Sequence, residues 1–466
     1  VYYHNDCNIE YHPDGPLNNY SYRLRTFGNR LYMLPGGRWA SQYNRPAEIM
    51  ILENNQWMNI KNGVLTKKAA HALYDAMNVA QNPIDPSHYF ITTYGTGMLE
   101  MKDTNVVKLH LASNSKLHSA VSTNPDFYTR TDGIMFDEQN NLWVINAGGN
   151  QGNVHVISPD GKWTSFDLNS ISLDTPGDLI MDRRNPQWKW ISIVRAGTGL
   201  ILLQDNGTPD NPNDDKVTYR NTWIDQNSRN IAPENIYSIA QDHDNTLWVG
   251  TNSGIFTIPA NIDYTSSNQC ERIVIPRNDG SGLGDYLLDG EQINCIAIDG
   301  ANRKWIGTAS SGVFLIQITI NENGGKDIET VAHFTSENSL MPSDNVLSIA
   351  INEQNGEVFI GTAAGLVSYM RDAVEPEEDF NKLYAYPNPI HPTYRGYITI
   401  KGLMADTEVR ILDASGNLVN ILNSQGGAAI WDGNNTQGQR VASGVYTAIC
   451  NTKSGSNHSS VKILIL

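Results

Sequence analysis

From Asp205 to Asp215 the chain reads Asp-Asn-Gly-Thr-Pro-Asp-Asn-Pro-Asn-Asp-Asp. So dense a run of side-chain oxygens is what a hard cation such as calcium takes as ligands. Asp205, Asp210, Asn213 and Asp215 are the expected ligands of a structural calcium, although the run lacks the EF-hand order and its closing glutamate, and Asx-rich runs also form ordinary turns. His110 and His118 form the one suggestive histidine pair, but their spacing on strands gives no fixed metal geometry. HExxH, GxSxG, Walker A and paired-cysteine patterns are absent. The glycine-rich run Gly280-Ser-Gly282-Leu-Gly284 has neither the preceding strand nor the following helix of a nucleotide site. The expectation is a protein that is not an enzyme, with no catalytic residue to name and no cofactor required beyond that calcium. Acid and base groups could still be assembled from distant positions.

The composition says what must position such residues. The 466 residues include 39 Gly, 20 Pro, 21 Tyr and 10 Trp spread along the chain, which suits many short strands joined by tight turns. A formal net charge of -16 repels a phosphate backbone, so no nucleic-acid partner is expected. No stretch of 18 or more apolar residues exists to span a membrane as a helix. Cys7, Cys270, Cys295 and Cys450 are too far apart for a zinc knuckle, and pairing of Cys270 with Cys295 is left open. The opening Val1-Tyr2-Tyr3-His4 reads as what remains after removal of a signal peptide or a larger upstream region.

Internal similarity sets the architecture. Ile236-Tyr-Ser-Ile-Ala-Gln-Asp242 with Leu247-Trp-Val-Gly-Thr251, Ile293-Asn-Cys-Ile-Ala-Ile-Asp299 with Lys304-Trp-Ile-Gly-Thr308, and Val346-Leu-Ser-Ile-Ala-Ile-Asn352 with Val358-Phe-Ile-Gly-Thr362 are copies of one antiparallel meander. Weaker copies lie upstream, and a glycine after the second strand falls at positions 37, 95, 148, 197, 250, 307 and 361. A lone meander cannot bury both faces, but stacking radially lets each cover its neighbour. The expected fold is therefore all-β: a seven-bladed β-propeller over 1–374, an acidic linker over 375–383 read as a solvated hinge, and an immunoglobulin-like β-sandwich over 384–466. Trp143, Trp190, Trp248 and Trp305 recur at matching places and are expected to pack between blades.

The propeller repeats resemble the two-component-regulator propeller repeat of bacterial surface and periplasmic proteins. The tail carries Tyr386-Pro387-Asn388-Pro389, then Val409, Ile411, Asp413 and Gly416 of a strand and turn, Trp431 and Gly433, and Gly444 and Tyr446 of a later strand. In this order, and ending on Val461-Lys462-Ile463-Leu464-Ile465-Leu466, these elements resemble the C-terminal signal domain of the type IX secretion system. Flagellar-hook capping domains share the Trp-Asp-Gly and Gly-Val-Tyr elements, and the Tyr-Pro-Asn-Pro start separates the two. Both halves together resemble the PorZ family.

The resemblance implies a non-catalytic, exported protein associated with the outer membrane at the cell surface. Its implied partners are the attachment-complex proteins, sortase and outer-membrane shuttle, and anionic lipopolysaccharide. That family has two propellers ahead of its signal domain, so the single propeller here is expected to be part of a longer chain. Alternatives are a secreted type IX cargo with a glycan-binding or polysaccharide-acting propeller, and a periplasmic ligand-sensing propeller. An acidic chain that binds an anionic glycan needs local Lys and Arg contacts or sugar stacking on aromatics.

Overall fold

The computed structural model describes residues 2–4, 7–9, 14–39, 42–148, 153–166, 168, 171, 174–277, 281, 283–321, 325–370, 373–453 and 455–466. Gly280, Gly282 and the side chain of Cys7 lie outside the described residues. Seven antiparallel meanders follow one another, with inner strands Arg23–Phe27, Ala76–Gln81, Thr129–Phe136, Pro176–Met181, Ile236–Gln241, Ile293–Ile298 and Val346–Ile351, which define blades 1 to 7. Blades 5 and 7 have three regular strands, and Glu271 bridges to Thr257 as a fourth edge in blade 5.

The seven seams are apolar, each with its own cluster of buried side chains. Leu200 and Leu202 of blade 4 meet Ile236, Val249 and Phe256 of blade 5, and the ring closes where Leu24, Leu31 and Met33 of blade 1 pack on Ala350 and Phe359 of blade 7. Hydrogen bonds close it too. The Leu24 amide donates to Ser348 Oγ at 3.0 Å, and Thr26 Oγ1 donates to the Ile351 carbonyl at 2.7 Å.

The repeated glycine has a steric reason. A Cβ on Gly250 would lie 2.7 Å from Ile293 Cγ2, one on Gly307 2.6 Å from Val346 Cγ1, and one on Gly361 2.7 Å from the Ser21 carbonyl, so the second strand admits only hydrogen against the next blade. Six inner strands carry a bulge near the same end. The bulge turns a polar side chain onto the neighbouring blade, as where Ser238 Oγ accepts the Ile296 amide at 3.1 Å.

At the opposite end of the inner strands an Asp turns the chain and locks the next tryptophan. The indole Nε1 atoms of Trp143, Trp190, Trp248 and Trp305 donate to Asp137, Asp182, Asp242 and Asp299 at 2.8–3.0 Å. The other oxygen of each Asp accepts turn amides, for example those of Asp244 and Thr246 on Asp242. All four indoles are buried.

The tail is a sandwich of two sheets, Tyr384–Tyr386, Ile398–Lys401 and Ala428–Trp431 against Leu418–Asn423, Thr407–Leu412, Gly444–Thr452 and His458–Ile465. Trp431, Ile400, Val409, Ile411 and Ile463 fill its core. The start of the acidic segment is held rather than free. The Gly427 amide donates to the Val374 carbonyl at 2.8 Å, the Glu377 amide to the Leu403 carbonyl at 2.9 Å, and the half-buried Glu375 lies 3.9 Å from Arg183 and 3.5 Å from His243. The solvated-hinge expectation fails there because blade turns and the sandwich supply partners from both sides. Cys270 and Cys295 are both unpaired.

Candidate functional site

The loops after the second strands, beside the repeated glycines, ring one mouth of the central channel. This is the end away from the Asp–Trp turns and the linker. A cavity of about 360 Å³ opens there, with Trp39, Tyr237, Arg38, Gln42, Gln292 and Asn294 among its lining residues. Among the described residues its lining has amides, guanidiniums and aromatics but no carboxylate, imidazole or thiol. Such a surface can hydrogen-bond and stack.

Arginines and aromatic rings alternate around the rim. Trp39 and Tyr237 approach to 5.7 Å between centroids, and the Arg195 guanidinium sits 4.7 Å from the Trp39 ring centre. Arg195 also donates to Tyr43 Oη at 3.2 Å; Tyr43 stacks on Tyr94 at 6.0 Å with the rings 6° apart; and Arg130 covers Tyr94 at 4.9 Å. These residues come from blades 1 to 5, so their cations are brought together by the ring rather than by the local sequence.

Below the mouth the channel carries three guanidiniums on two carboxylates. Arg38, only 3% exposed, pairs with Asp132, donates to the Pro176 carbonyl and donates to Tyr22 Oη at 3.2 Å. Arg23 donates to Asp178 at 3.0 Å, and Arg25 lies 3.7 Å from the same oxygen while its Nε donates to Asn78 Oδ1 at 3.1 Å. The surplus positive charge makes the channel attractive to anions despite the acidity of the whole chain.

The four oxygen donors expected to hold calcium are not gathered into one set. Asp205 is buried and pairs with Lys189, so its charge is already neutralised, while Asp210 and Asn213 are exposed. Both oxygens of Asp215 are buried without a hydrogen-bond partner, and burial, with help from the Asp214 and Asp205 charges, pushes its carboxyl up to about 7. Among the described residues no three His, Cys, Asp or Glu side chains converge as a metal site would require. His118 lies instead with its ring 5.7 Å from that of His155, and burial pulls His155 down to about 3.

The tail residues take structural positions. Asn388 donates its amide to the Lys462 carbonyl at 2.8 Å and accepts the Leu464 amide at 2.9 Å, so Tyr386-Pro387-Asn388-Pro389 runs along the last strand, with Tyr386 exposed. Asp413 accepts the Ser415 and Asn417 amides in a turn where Gly416 adopts φ 83°. Trp431 is buried edge-on to Tyr446 at 5.5 Å, Gly433 leaves room for Arg440, and Gly444 begins the strand that carries Tyr446.

Of the mouth residues, the sequence reading reached only those of the first-blade segment from Leu34 to Pro46, which is similar to the PorZ family: Arg38, Trp39, Gln42 and Tyr43. Arg195, Tyr237, Tyr94 and Arg130 escaped it. Their signal was position: Tyr94 and Arg195 sit within two residues of the repeated glycines at 95 and 197.

The model of the two component regulator propeller family matches residues 230–253. Among solved structures, the chain is similar to PorZ of Porphyromonas gingivalis, an essential bacterial surface component of the type-IX secretion system. The match has 28% identity and a TM-score of 0.70, over 98% of this chain and 61% of that one. It is also similar to the extracellular domain of a B. thetaiotaomicron protein assigned to hybrid two component systems (14% identity, 96% of this chain and 56% of that one, TM-score 0.46). A streptogramin B lyase aligns at 11% identity over 77% of this chain and 95% of that one, with a TM-score of 0.48. No match was found among curated proteins. The chain spans about three fifths of the PorZ chain. With that likeness running through both the propeller and the tail, the chain is PorZ-like, with a propeller of the two-component-regulator type.

Proposed function

We propose that the chain serves, without catalysing a reaction itself, as a surface component of the type IX secretion attachment complex. In this reading it binds anionic lipopolysaccharide at the channel mouth and presents it to the sortase that anchors cargo. The observation that carries the reading is the Arg195–Trp39–Tyr237 cluster over the Arg38 and Arg23 floor. Guanidiniums meet the anionic groups of such a glycan and aromatic faces meet its sugar rings. The similarity to PorZ supports the place of action, exported and outer-membrane associated, and the attachment-complex partners, sortase and outer-membrane shuttle. Among the described residues no helix is long and apolar enough to cross a membrane.

The test is binding of the purified chain to anionic lipopolysaccharide beside a neutral glycan, with the variants Trp39→Ala and Arg195→Ala. Selective binding that weakens as salt is raised and falls about tenfold in each variant is expected, tenfold being ~1.4 kcal/mol, within the range of a desolvated cation–π contact. Equal binding of the neutral glycan, or variants that bind like the parent, would overturn it.

A further inference from the structure

The channel has a second mouth, at the turn end of the blades, where a cavity of about 870 Å³ opens between blades 1 to 4 and the blade 7 turn. That size falls within the ~300–1,000 Å³ of small-molecule sites. Inner strands end there in apolar side chains: Val79 of blade 2, Met135 and Phe136 of blade 3, and Ile180 and Met181 of blade 4. Met135, Phe136, Ile180 and Met181 are only partly buried, so this wall is open to the cavity. An apolar surface left facing water favours a hydrocarbon that covers it.

Arg25 and Arg30 are the cations of the lining, and only one of them is spent. Arg30 holds Glu53 through Nη2 at 3.2 and 2.9 Å and donates from Nη1 to the Pro86 carbonyl at 2.7 Å. Arg25 donates from Nε to Asn78 Oδ1 at 3.1 Å, but among the described residues its Nη1 and Nη2 make no hydrogen bond, and its side chain is 35% exposed. Asp178 lies 3.7 Å from Nη2, beyond hydrogen-bond reach, and already accepts from Arg23 at 3.0 Å. Burial, with help from the Arg23 charge, pulls Arg25 down to about 10, which leaves it a cation at neutral pH.

A guanidinium with two free, coplanar donor groups fits an oxoanion, and its single charge fits a monoanion. Glu353, exposed at the rim, disfavours a second negative charge. Arg25 also sits deeper in the channel than the apolar wall, because its neighbours Asn78 and Asp178 precede Val79 and Ile180 on strands that run toward the turn end. A ligand therefore enters head first, with an anionic group small enough to pass the wall and a chain that trails over it. We infer that the turn-end mouth binds a free straight-chain fatty carboxylate, with the head in the Arg25 fork and the chain along Met135, Ile180 and Met181. The site lies at the other end of the channel from the mouth proposed for lipopolysaccharide and does not rest on that reading.

The test is isothermal titration calorimetry of the full chain with octanoate, decanoate and dodecanoate below their micelle concentrations. Dodecyltrimethylammonium, dodecyl maltoside and lauroyl lysophosphatidylglycerol put a chain of the same length on a cationic, a neutral and a lipid head. Affinity for the carboxylates should rise about fourfold with each added methylene, the equivalent of ~0.8 kcal/mol per buried CH₂. Dodecanoate should bind about tenfold more weakly to Arg25→Met, which loses a charged hydrogen-bond donor, and to Met181→Asp, and unchanged to Trp39→Ala. Melting curves identify any variant that does not fold, and the chain-length series and the three other heads on the parent then carry the test. No binding of dodecanoate, no gain with chain length, another head that binds as tightly, or a folded Arg25→Met that binds like the parent would overturn the inference. Loss in Trp39→Ala would overturn it too, by assigning the carboxylate to the opposite mouth.

Discussion

Lys304 of blade 6 places its Nζ 3.1 Å from Asp242 Oδ2 of blade 5 and 5.4 Å from the ring centre of Trp248, whose indole donates to the same carboxylate. Both charged side chains are nearly inaccessible, at 2% and 5% exposure. Lys189 repeats the ring contact, with its Nζ 4.4 Å from the ring centre of Trp143 in the preceding blade, while its carboxylate partner Asp205 belongs to its own blade. In blades 4 and 6 the lysine before the tryptophan thus ties its blade to the preceding one.

Removing one partner of a buried pair leaves the other charge uncompensated, which costs about 3–5 kcal/mol. Lys304→Met is therefore expected to destabilise the propeller by ~3 kcal/mol in urea unfolding. Lys326→Met, which breaks the exposed pair with Glu271 at 2.6 Å, should stay within ~1 kcal/mol.

Asp215 makes stability depend on pH in the direction opposite to a salt-bridged carboxylate. Its folded carboxyl titrates at about 7, above the ordinary unfolded value of about 4. The folded state therefore holds more protons between these values, and the contribution of Asp215 is most favourable below pH ~4 and is lost as pH rises through 7. Asp215→Asn should match the parent's urea midpoint near pH 4 and exceed it at pH 8. A variant less stable than the parent at pH 8 would show that the carboxylate has a stabilising partner.

Asn388 acts as a short extra strand on the last one, through its bonds to Lys462 and Leu464. Asn388→Ala removes both bonds, each contributing about 0.5–1.5 kcal/mol. The Leu464 amide should exchange with deuterium about tenfold faster, while amides in Thr407–Leu412, buried in the middle of the same sheet, keep their protection.

Gly300 is where the propeller meets the linker. An added Cβ would lie 2.1 Å from the Val374 carbonyl oxygen, a backbone atom that cannot swing aside. Gly300→Ala is expected to loosen this docking and to speed glutamyl-endopeptidase cleavage within 375–379 several-fold. Gly63→Ala, with nothing near its new methyl and a helical position, should cleave like the parent.

The blade count was legible because a meander is built from neighbouring residues, so the Gly-Thr ends, the Asx turns and the matched tryptophans repeat in the linear chain. The aspartates that hold Trp248 and Trp305 stood in the same repeats, at their inner-strand ends. The calcium loop misled because Asp205 faces Lys189 across adjacent strands, and a run of donors does not reveal which of them already has a cation.

By itself the sequence determined the all-β fold, the seven blades and the sandwich tail, since each follows from local periodicity and steric need. Only the tertiary structure decided that Trp39, Arg195 and Tyr237 share one mouth, that Arg25 keeps two free donor groups at the other, and that Glu375 is held rather than free. The physical reason is the same each time: closing a ring joins loops from different blades, and a side chain's partners across a seam are set by packing, not by its place in the chain.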